Sequence, residues 1–329
     1  MKTNTRLSIA VLAVAVLLSI GMTPSGIFGQ ELKKVSLGFP AVSGGFLPFY
    51  IAQEEGYYKQ EGLDPQIQMI RGAISVRALI SNTLDYNTAP ALDAIVRTRQ
   101  PIRYLLSMTH GKYVLVSNPA VVKTITDLKG KSLAVSSFGG SADLVSRRIL
   151  KSHGLQPDKD VALLQIGTPR DRFLALSAGR IGATLLTSPD DLQALDQGMI
   201  SLEKFIDVYP QIGINVMQSR SETKPDEVYG MVKATFKGLR YEVERKEDAI
   251  TKMMKSLKLD NRDFTRRVYA SFQEVLIPEG FLSDAEKKEA LETTSKEAGV
   301  TGEIPIDQAF DDRFVKRAAE ELKKTGWKP

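Results

Sequence analysis

A chain of 329 residues, 43% of them hydrophobic and 25% charged, can bury a large core and is long for one domain, so two lobes are expected. It has no Cys and only two His, which excludes disulfides, thiolate nucleophiles, Cys-based metal sites and a His-rich metal centre. A formal net charge of +5 is too small to call for nucleic acid.

The front of the chain argues for export. Lys2 and Arg6 form a positive n-region, residues 7–20 are uncharged and dominated by Ala, Val, Leu and Ile, and residues 21–29 are rich in small residues and broken by Pro24. That is the pattern of a Sec-type signal peptide over residues 1–30, with a cut after Ser25 or Gly29. An uncleaved anchor is the weaker reading, because the strongly apolar core is shorter than the ~20 residues a span wants. No Cys follows it, so a lipoprotein anchor is excluded, and a periplasmic or otherwise extracytoplasmic location is expected. Removing Lys2 and Arg6 takes the formal charge from +5 to +3.

Residues 35–39 alternate apolar and small residues and read as a strand. Ser43-Gly44-Gly45 is a loop that can lie close to a bound molecule. From Pro48, the residues Phe49, Ala52, Gln53, Gly56 and Tyr57 follow helical spacing, with Pro in the first turn, and Gly56 and Gly62 punctuate the helix end. Ile67, Met69 and Ile70 begin a second strand, completing a βαβ unit and implying a parallel sheet. Residues 74–84 read as a helix with Asn82 at a left-handed C-cap, residues 86–90 as a short strand running into a loop, and residues 91–97 as another helix. Strands at 102–108 and 113–117 complete one α/β lobe, and Asn118-Pro119 marks the first crossing to a second. There, residues 132–135 read as a strand, 142–153 as a helix with Ser141 as N-cap, 161–166 as a strand, 170–178 as a helix and 181–186 as a strand. Residues 212–218 bring the chain back. Beyond them the pattern is helical, with Thr223 and Asp260 as caps and Ser283–Glu286 as a capping box.

The run Ala52, Glu55-Gly56-Tyr57-Tyr58, Glu61-Gly62-Leu63-Asp64 resembles the "A-x-E-x-G-(F/Y)-(F/Y)-x-x-E-G-L-(D/E)" signature of ABC-transporter substrate-binding proteins of the nitrate, sulfonate and taurine type, the SsuA/TauA-like family that also includes thiamine-precursor synthases. Asp127-Leu128-Lys129-Gly130-Lys131, the following strand, the Ser/Gly loop at 136–141 and Gly154-Leu155 are similar to a second stretch of that family. The resemblance implies a two-lobed periplasmic-binding-protein fold of type II, each lobe a mostly parallel sheet flanked by helices, with a hinge of two crossings. It implies lobe one at 31–117, lobe two at 118–212, and a return strand and C-terminal helices at 213–329 packing on lobe one. The two lobes echo each other, residues 79–90 having the plan of 176–189. The family usually reads "G-x-(V/I)-D-A" at both places; Asp85 keeps the acid here and Gly182 has lost it, so the second turn is expected to be held differently.

Most candidate chemistry fails. Gly130-Lys131-Ser132 looks like the tail of a P-loop, but Ile125 stands where the first Gly belongs and the strand follows instead of preceding it. No G-x-S-x-G elbow or G-x-G-x-x-G fingerprint occurs. His110 and His153 read as turn or helix-end residues, and the doublets Asp190-Asp191 and Asp311-Asp312 as solvated caps. What remains is six loops at the C-terminal ends of predicted parallel strands, the edge where open α/β sheets bind ligands: residues 41–46, 71–74, 88–91, 136–141, 167–170 and 187–190. The candidate contacts are Ser43, Gly44 and Phe46, Arg71 and Gly72, Thr88 and Ala89, Ser136, Ser137, Phe138, Gly140 and Ser141, Arg170, and Ser188. Phe46 and Phe138 either line a cleft or plug their own lobe's core. Arg71 and Arg170 could grip a carboxylate or sulfonate.

The expected protein is therefore an exported, monomeric receptor that closes on a small molecule, without metal, cofactor or catalysis. The resemblance implies delivery to a membrane permease with a cytoplasmic ATPase. A ligand sensor for a membrane receptor shares these features. Some relatives are enzymes that make a thiamine pyrimidine precursor, consuming an active-site His and using a Cys-rich motif; a Cys-free chain with an export leader does not fit them. The family handles nitrate, sulfonates, taurine, aromatic acids, pyrimidines and flavins, and no residue here selects among them.

Overall fold

The computed structural model describes residues 31–329, so the leader expected at residues 1–30 lies outside the described residues. The strands are β1 (Lys33–Phe39), β2 (Leu63–Met69), β3 (Tyr86–Asn87), β4 (Ile102–Ser117), β5 (Ser132–Val135), β6 (Ala162–Gln165), β7 (Ala183–Leu186) and β8 (Ile200–Met217). The helices of the first part are α1 (Leu47–Glu54), α2 (Tyr57–Gln60), α3 (Gly72–Ile80), α4 (Leu92–Thr98), α5 (Ser141–Ser152), α6 (Pro169–Ser177) and α7 (Asp190–Asp196). The C-terminal third adds α8 (Gln218–Thr223), α9 (Pro225–Glu244), α10 (Lys246–Leu257), α11 (Arg262–Gln273), α12 (Asp284–Ala298) and α13 (Arg313–Lys324). Among the described residues no helix is long and apolar enough to cross a membrane.

The strands form one sheet in the order β2-β1-β3-β8-β4-β7-β5-β6. Two parallel blocks, β2-β1-β3 and β7-β5-β6, stand at its ends. The antiparallel pair β8-β4 joins them. The expectation of one sheet per lobe thus resolves into a single mixed sheet. The reason is strand length: β4 has 16 residues and β8 has 18, enough for each to serve both blocks. Near its start β4 pairs through Tyr104 with Asn215, the residue that also pairs with β3, and at its end Val114–Ser117 pairs with β7. The two strands read at 102–108 and 113–117 are therefore one. His110-Gly111 looked like a break, but β8 absorbs the irregularity in register shifts between Tyr104 and Gly111. The crossing placed at Asn118 falls one residue beyond β4.

Local chemistry explains most element ends. Val35, Leu37 and Phe39 are buried along β1, as alternation requires. β2 starts earlier than read, at Leu63, and tolerates Pro65 because it is an edge strand. Gly56 at φ 72 breaks α1 from α2. Capping boxes open α6 at Thr168 and α12 at Ser283. Three caps differ from expectation by a residue: Gly140, not Ser141, precedes α5; Asn261, not Asp260, caps α11 by accepting from the Phe264 N–H; and Thr223 ends α8 while Lys224 precedes α9. Neither Asp doublet is a solvated cap. Asp190 and Asp191 are buried, Asp311 pairs with Arg313 at 2.7 Å, and Asp312 pairs with the buried Lys287. Asp85 accepts from the Ser36 N–H at 2.7 Å and hydroxyl at 2.9 Å and pairs with Arg220, whereas the matching turn is held by the Gly182 N–H on the Ser132 carbonyl.

Each half of the sheet has its own core. The β1–β3 half packs on α1, α9 and α10 through residues such as Phe39, Phe49, Met231 and Met253, and separately on α3, α4 and α12 through Val76, Ile95 and Leu291. The β5–β7 half packs through Leu133, Ile149 and Leu185 in one cluster and Ala134, Phe173 and Leu186 in another. Loops at the strand ends of the two halves are left facing one another.

Candidate ligand-binding cleft

A cavity of about 450 Å³ lies where these loops converge. All six loops read from the sequence contribute lining: Pro40, Ala41 and Ser43 after β1, Arg71 and Gly72 after β2, Ala89 to Ala91 after β3, Ser136 and Phe138 to Ser141 after β5, Gly167 to Pro169 after β6, and Thr187 after β7. The amino ends of α3, α5 and α6 sit in these loops; α6 is closed by its Thr168–Asp171 capping box, whereas α3 and α5 have no side-chain cap and turn the positive ends of their dipoles to the space.

The structure divides the candidate residues. Ser43, Phe46, Arg71, Gly72, Ala89, Ser136, Phe138, Gly140 and Ser141 line the cavity. Phe138 is 53% exposed and lies free in the opening, so it does not plug a core. Phe46 does both: its ring is 2% exposed and stacked on Phe39 at 4.4 Å, and one edge forms cavity floor. The other five are turned elsewhere. Gly44 is packed so tightly that a Cβ there would lie 2.7 Å from the Phe272 ring. Thr88 is buried and donates to the Gly38 carbonyl at 2.7 Å. Ser137 is buried beneath its loop, its hydroxyl without a partner. Arg170 reaches outward to Gln193 at 2.5 Å and lies 5.2 Å from the Phe173 ring centroid. Ser188 is buried, donating to Asp191 at 2.7 Å and sharing a hydrogen bond with Ser271 at 2.7 Å.

Several lining residues went unread because they lie on the long central strands. Thr109, His110, Lys112 and Tyr113 come from β4, and Tyr209, Gln211 and Ile212 from β8. Reading β4 as two strands placed His110 in a turn; it is a strand residue whose Nε2 lies 3.5 Å from Glu286. Lys112 donates to the Ser271 carbonyl and hydroxyl and to Glu274, at 2.8 to 3.1 Å. Arg172 on α6 lies almost wholly inside the protein, its fork donating to the Thr184 hydroxyl at 3.1 Å and to the Gly167 and Leu185 carbonyls at 2.8 and 3.0 Å. Its partners are neutral, and burial pulls its guanidinium down to about 10. Burial also raises the carboxyls of Asp190 and Asp191. A solvated-looking "PRDRF" stretch gave no sign that its second Arg is interior.

Links between the two halves flank the cavity. The Ser43 hydroxyl donates to the Ser188 carbonyl at 3.4 Å, Arg267 on α11 holds Asp196 on α7 through two hydrogen bonds of 2.9 Å, and Arg148 on α5 pairs with Glu297 on α12. Thus each half contributes both a wall and a charge or dipole, an arrangement suited to enclosing a small molecule. Among the described residues none of the cavity hydroxyls is hydrogen-bonded to His110, whose Nε2 faces Glu286.

The fold is the α/β fold of periplasmic binding proteins. The family model described as NMT1/THI5 like matches residues 43–249, and the chain belongs to that family. It is 26% identical over 148 residues to YtlA of Bacillus subtilis, named as a candidate binding protein, which covers 41% of this chain and 43% of YtlA. The chain therefore spans under half the length of this curated relative. Among solved structures, the alkanesulfonate-binding protein SsuA of Xanthomonas axonopodis bound to MOPS matches at TM-score 0.67 and 15% identity, over 85% of this chain and 99% of SsuA. The periplasmic nitrate-binding protein NrtA of Synechocystis matches at 0.66 and 16%, over 89% and 90%. The desulfurization enzyme DszB matches at 0.61 and 13%, over 88% and 99%, so the fold alone does not separate binding from catalysis.

Proposed function

We propose that this protein is an extracytoplasmic solute receptor that captures a small organic anion and delivers it to an ABC importer. The observation that carries the reading is the convergence of six strand-end loops, from both halves of the sheet, on one cavity of about 450 Å³. The amino ends of α3 and α5, which have no side-chain cap, favour negative charge there. The guanidiniums of Arg71 and Arg77, both at the cavity, make no hydrogen bond or ion pair with the described residues, although Arg71 lies near enough to Asp171 to help lower its carboxyl. The sulfonate- and nitrate-binding proteins of like fold supply the ligand class by analogy.

In this reading residues 31–117 with 213–329 form one lobe and 118–212 the other. The ligand favours the closed arrangement because both lobes touch it only there. The protein works as a monomer, residues 1–30 are removed on export, and the partner is a permease of the inner membrane. Binding without turnover is part of this reading, and the nitrate- and sulfonate-binding proteins of like fold support it by analogy.

Purified protein should be screened by thermal shift against alkanesulfonates, aryl sulfonates, nitrate, taurine and aromatic carboxylates, since a native-state ligand raises the melting temperature. Hits should then be titrated calorimetrically and followed by solution scattering. At least one anion should bind and lower the radius of gyration. Absence of any anion binding, or consumption of the bound compound, would overturn the receptor reading; tight binding at constant radius would remove hinge closure alone.

A further inference from the structure

The cleft does not end at its first chamber. A second cavity of about 350 Å³ lies behind it, bounded by α4, α5, α12 and the middles of β4 and β8. The two share Asp93, Arg97, Tyr113, Ser141, Leu144, Tyr209 and Gln211 in their walls, so the chambers adjoin one another across these side chains.

Two observations argue that the rear chamber takes part of the ligand. The first is Gly111, a buried glycine in mid-strand that lines only the second chamber. Its φ is not in the left-handed region, and a Cβ there would meet nothing closer than 3.7 Å, at Asp207 and Gln211. Neither φ nor crowding requires glycine, although the residue lies at a register shift of the β4–β8 ladder. A mid-strand glycine marks such an irregularity or close approach by something else, and a side chain here would extend along Asp207 and Gln211 of the chamber wall. The second is how charge is committed. Arg147 is held by Asp143 at 2.9 Å and Asp158 at 2.6 Å, Arg148 by Asp207 and Glu297, and Arg97 by Asp93 at 2.6 Å. Apart from Lys151 at its exposed edge, the chamber offers a ligand no unspent charge; it offers Leu144, Val145, Phe205 and the aliphatic stems of these arginines. The unspent guanidiniums, Arg71 and Arg77, belong to the front chamber.

Resting on the receptor reading above, we propose that the ligand is an elongated organic anion: its anionic head meets the front chamber, and an uncharged, mostly apolar tail passes Tyr113 and Leu144 into the chamber that Gly111 lines. A compact anion such as nitrate or taurine would leave the rear chamber unused.

The test is a length ladder of ethane-, hexane-, decane- and dodecanesulfonate, titrated calorimetrically into the parent, Gly111→Leu and Phe205→Ala, with melting curves for all three proteins. In the parent, affinity should rise along the ladder, by about tenfold for every two methylenes that become buried. Gly111→Leu puts a side chain into the rear chamber only. It should keep the parent's ethanesulfonate affinity and lose at least tenfold for decanesulfonate, without a lower melting temperature. Phe205→Ala enlarges the same chamber and should extend the gain to dodecanesulfonate, which keeps the test open should the Leu variant fold poorly. If ethane- and decanesulfonate bind the parent equally, or Gly111→Leu weakens every member alike, the rear chamber takes no ligand and the inference fails while the receptor reading stands. If no member binds at any length, the sulfonate-type anion reading itself falls, and the inference with it.

Discussion

Replacing Glu242 by Gln should flatten a decline in stability with rising pH. Glu242 lies on α9, only 1% exposed, with one carboxyl oxygen accepting from Gln273 at 3.1 Å and the other without any partner. Burial pushes its carboxyl from an ordinary 4.5 up to about 8, and the single Gln273 bond opposes this only weakly. The folded protein therefore holds a proton there that the unfolded chain releases near pH 4.5. Below that value both states are protonated and the group costs nothing. Between 4.5 and about 8 the unfolded state binds fewer protons, so stability falls as pH rises, at about 1.4 kcal/mol per pH unit. From pH 4.5 to 7 the loss is about 3 kcal/mol, and above about 8 the slope ends because the folded state ionises too. A Gln side chain is neutral throughout and of nearly the same shape. Urea unfolding of parent and variant from pH 5 to 8 gives the test, with the difference between them cancelling other groups, such as Asp190 and Asp191, that burial raises in both. The variant should gain on the parent steadily across that range. Parallel curves would refute the reasoning and show that water or local rearrangement solvates the Glu242 carboxylate.

Arg172→Met should destabilise by about 3 kcal/mol in urea unfolding, because it strips donors from the buried Leu185 carbonyl and the half-buried Gly167 carbonyl, and Arg172→Lys should recover little since an ammonium lacks the fork. Gly238→Ala on α9 would place a Cβ 2.0 Å from the Pro48 carbonyl oxygen of α1. Its helix-propensity gain of about 1 kcal/mol is outweighed by forcing two backbones apart, which costs ~1–3 kcal/mol or more, so the melting temperature should fall. Arg267→Ala breaks the link to Asp196, but both side chains are about half exposed, so the loss should stay under about 1 kcal/mol and shrink further in high salt when melting curves are compared.

The legible parts of this molecule are those with local causes. The βαβ unit at the front follows from alternation in β1, Pro48 in the first turn of α1 and the glycines at 56 and 62, and β1 and β2 do pair in parallel. Loops after parallel strands could be named as binding loops because strand direction alone puts them at one edge. The illegible parts depend on partners distant in sequence. Nothing within residues 102–117 announces one strand; it is β8, about a hundred residues later, that carries the ladder through His110 and Gly111. The same holds for side-chain direction within a correctly placed loop. Ser136 and Ser137 are adjacent and chemically identical, yet the first lines the cavity and the second is buried under it. Arg170 and Arg172 reverse the expectation in the same way: two residues apart on α6, they point to different environments, and the one singled out from the sequence is the one that faces away.

That pairing of Arg170 and Arg172 also bears on how the cleft recognises anything. A cationic residue near a cavity is available to a ligand only if the protein has not already used it. Arg172, Lys112 and Arg97 all touch the cavity, and all three are spent, on carbonyls and Thr184, on Ser271 and Glu274, and on Asp93 respectively. Recruiting Arg172 or Lys112 would strand a buried acceptor, which costs more than a typical ligand hydrogen bond returns, whereas the part-exposed Arg97–Asp93 pair holds its charges only weakly. The positive field left for a ligand comes from Arg71, Arg77 and the amino ends of α3 and α5, all lining the first cavity. Charge can therefore orient a ligand here by drawing one end forward, while discrimination between ligands of equal charge falls to the shape and depth of the apolar space behind. A receptor built this way should be selective for length and girth and tolerant of the anionic group itself.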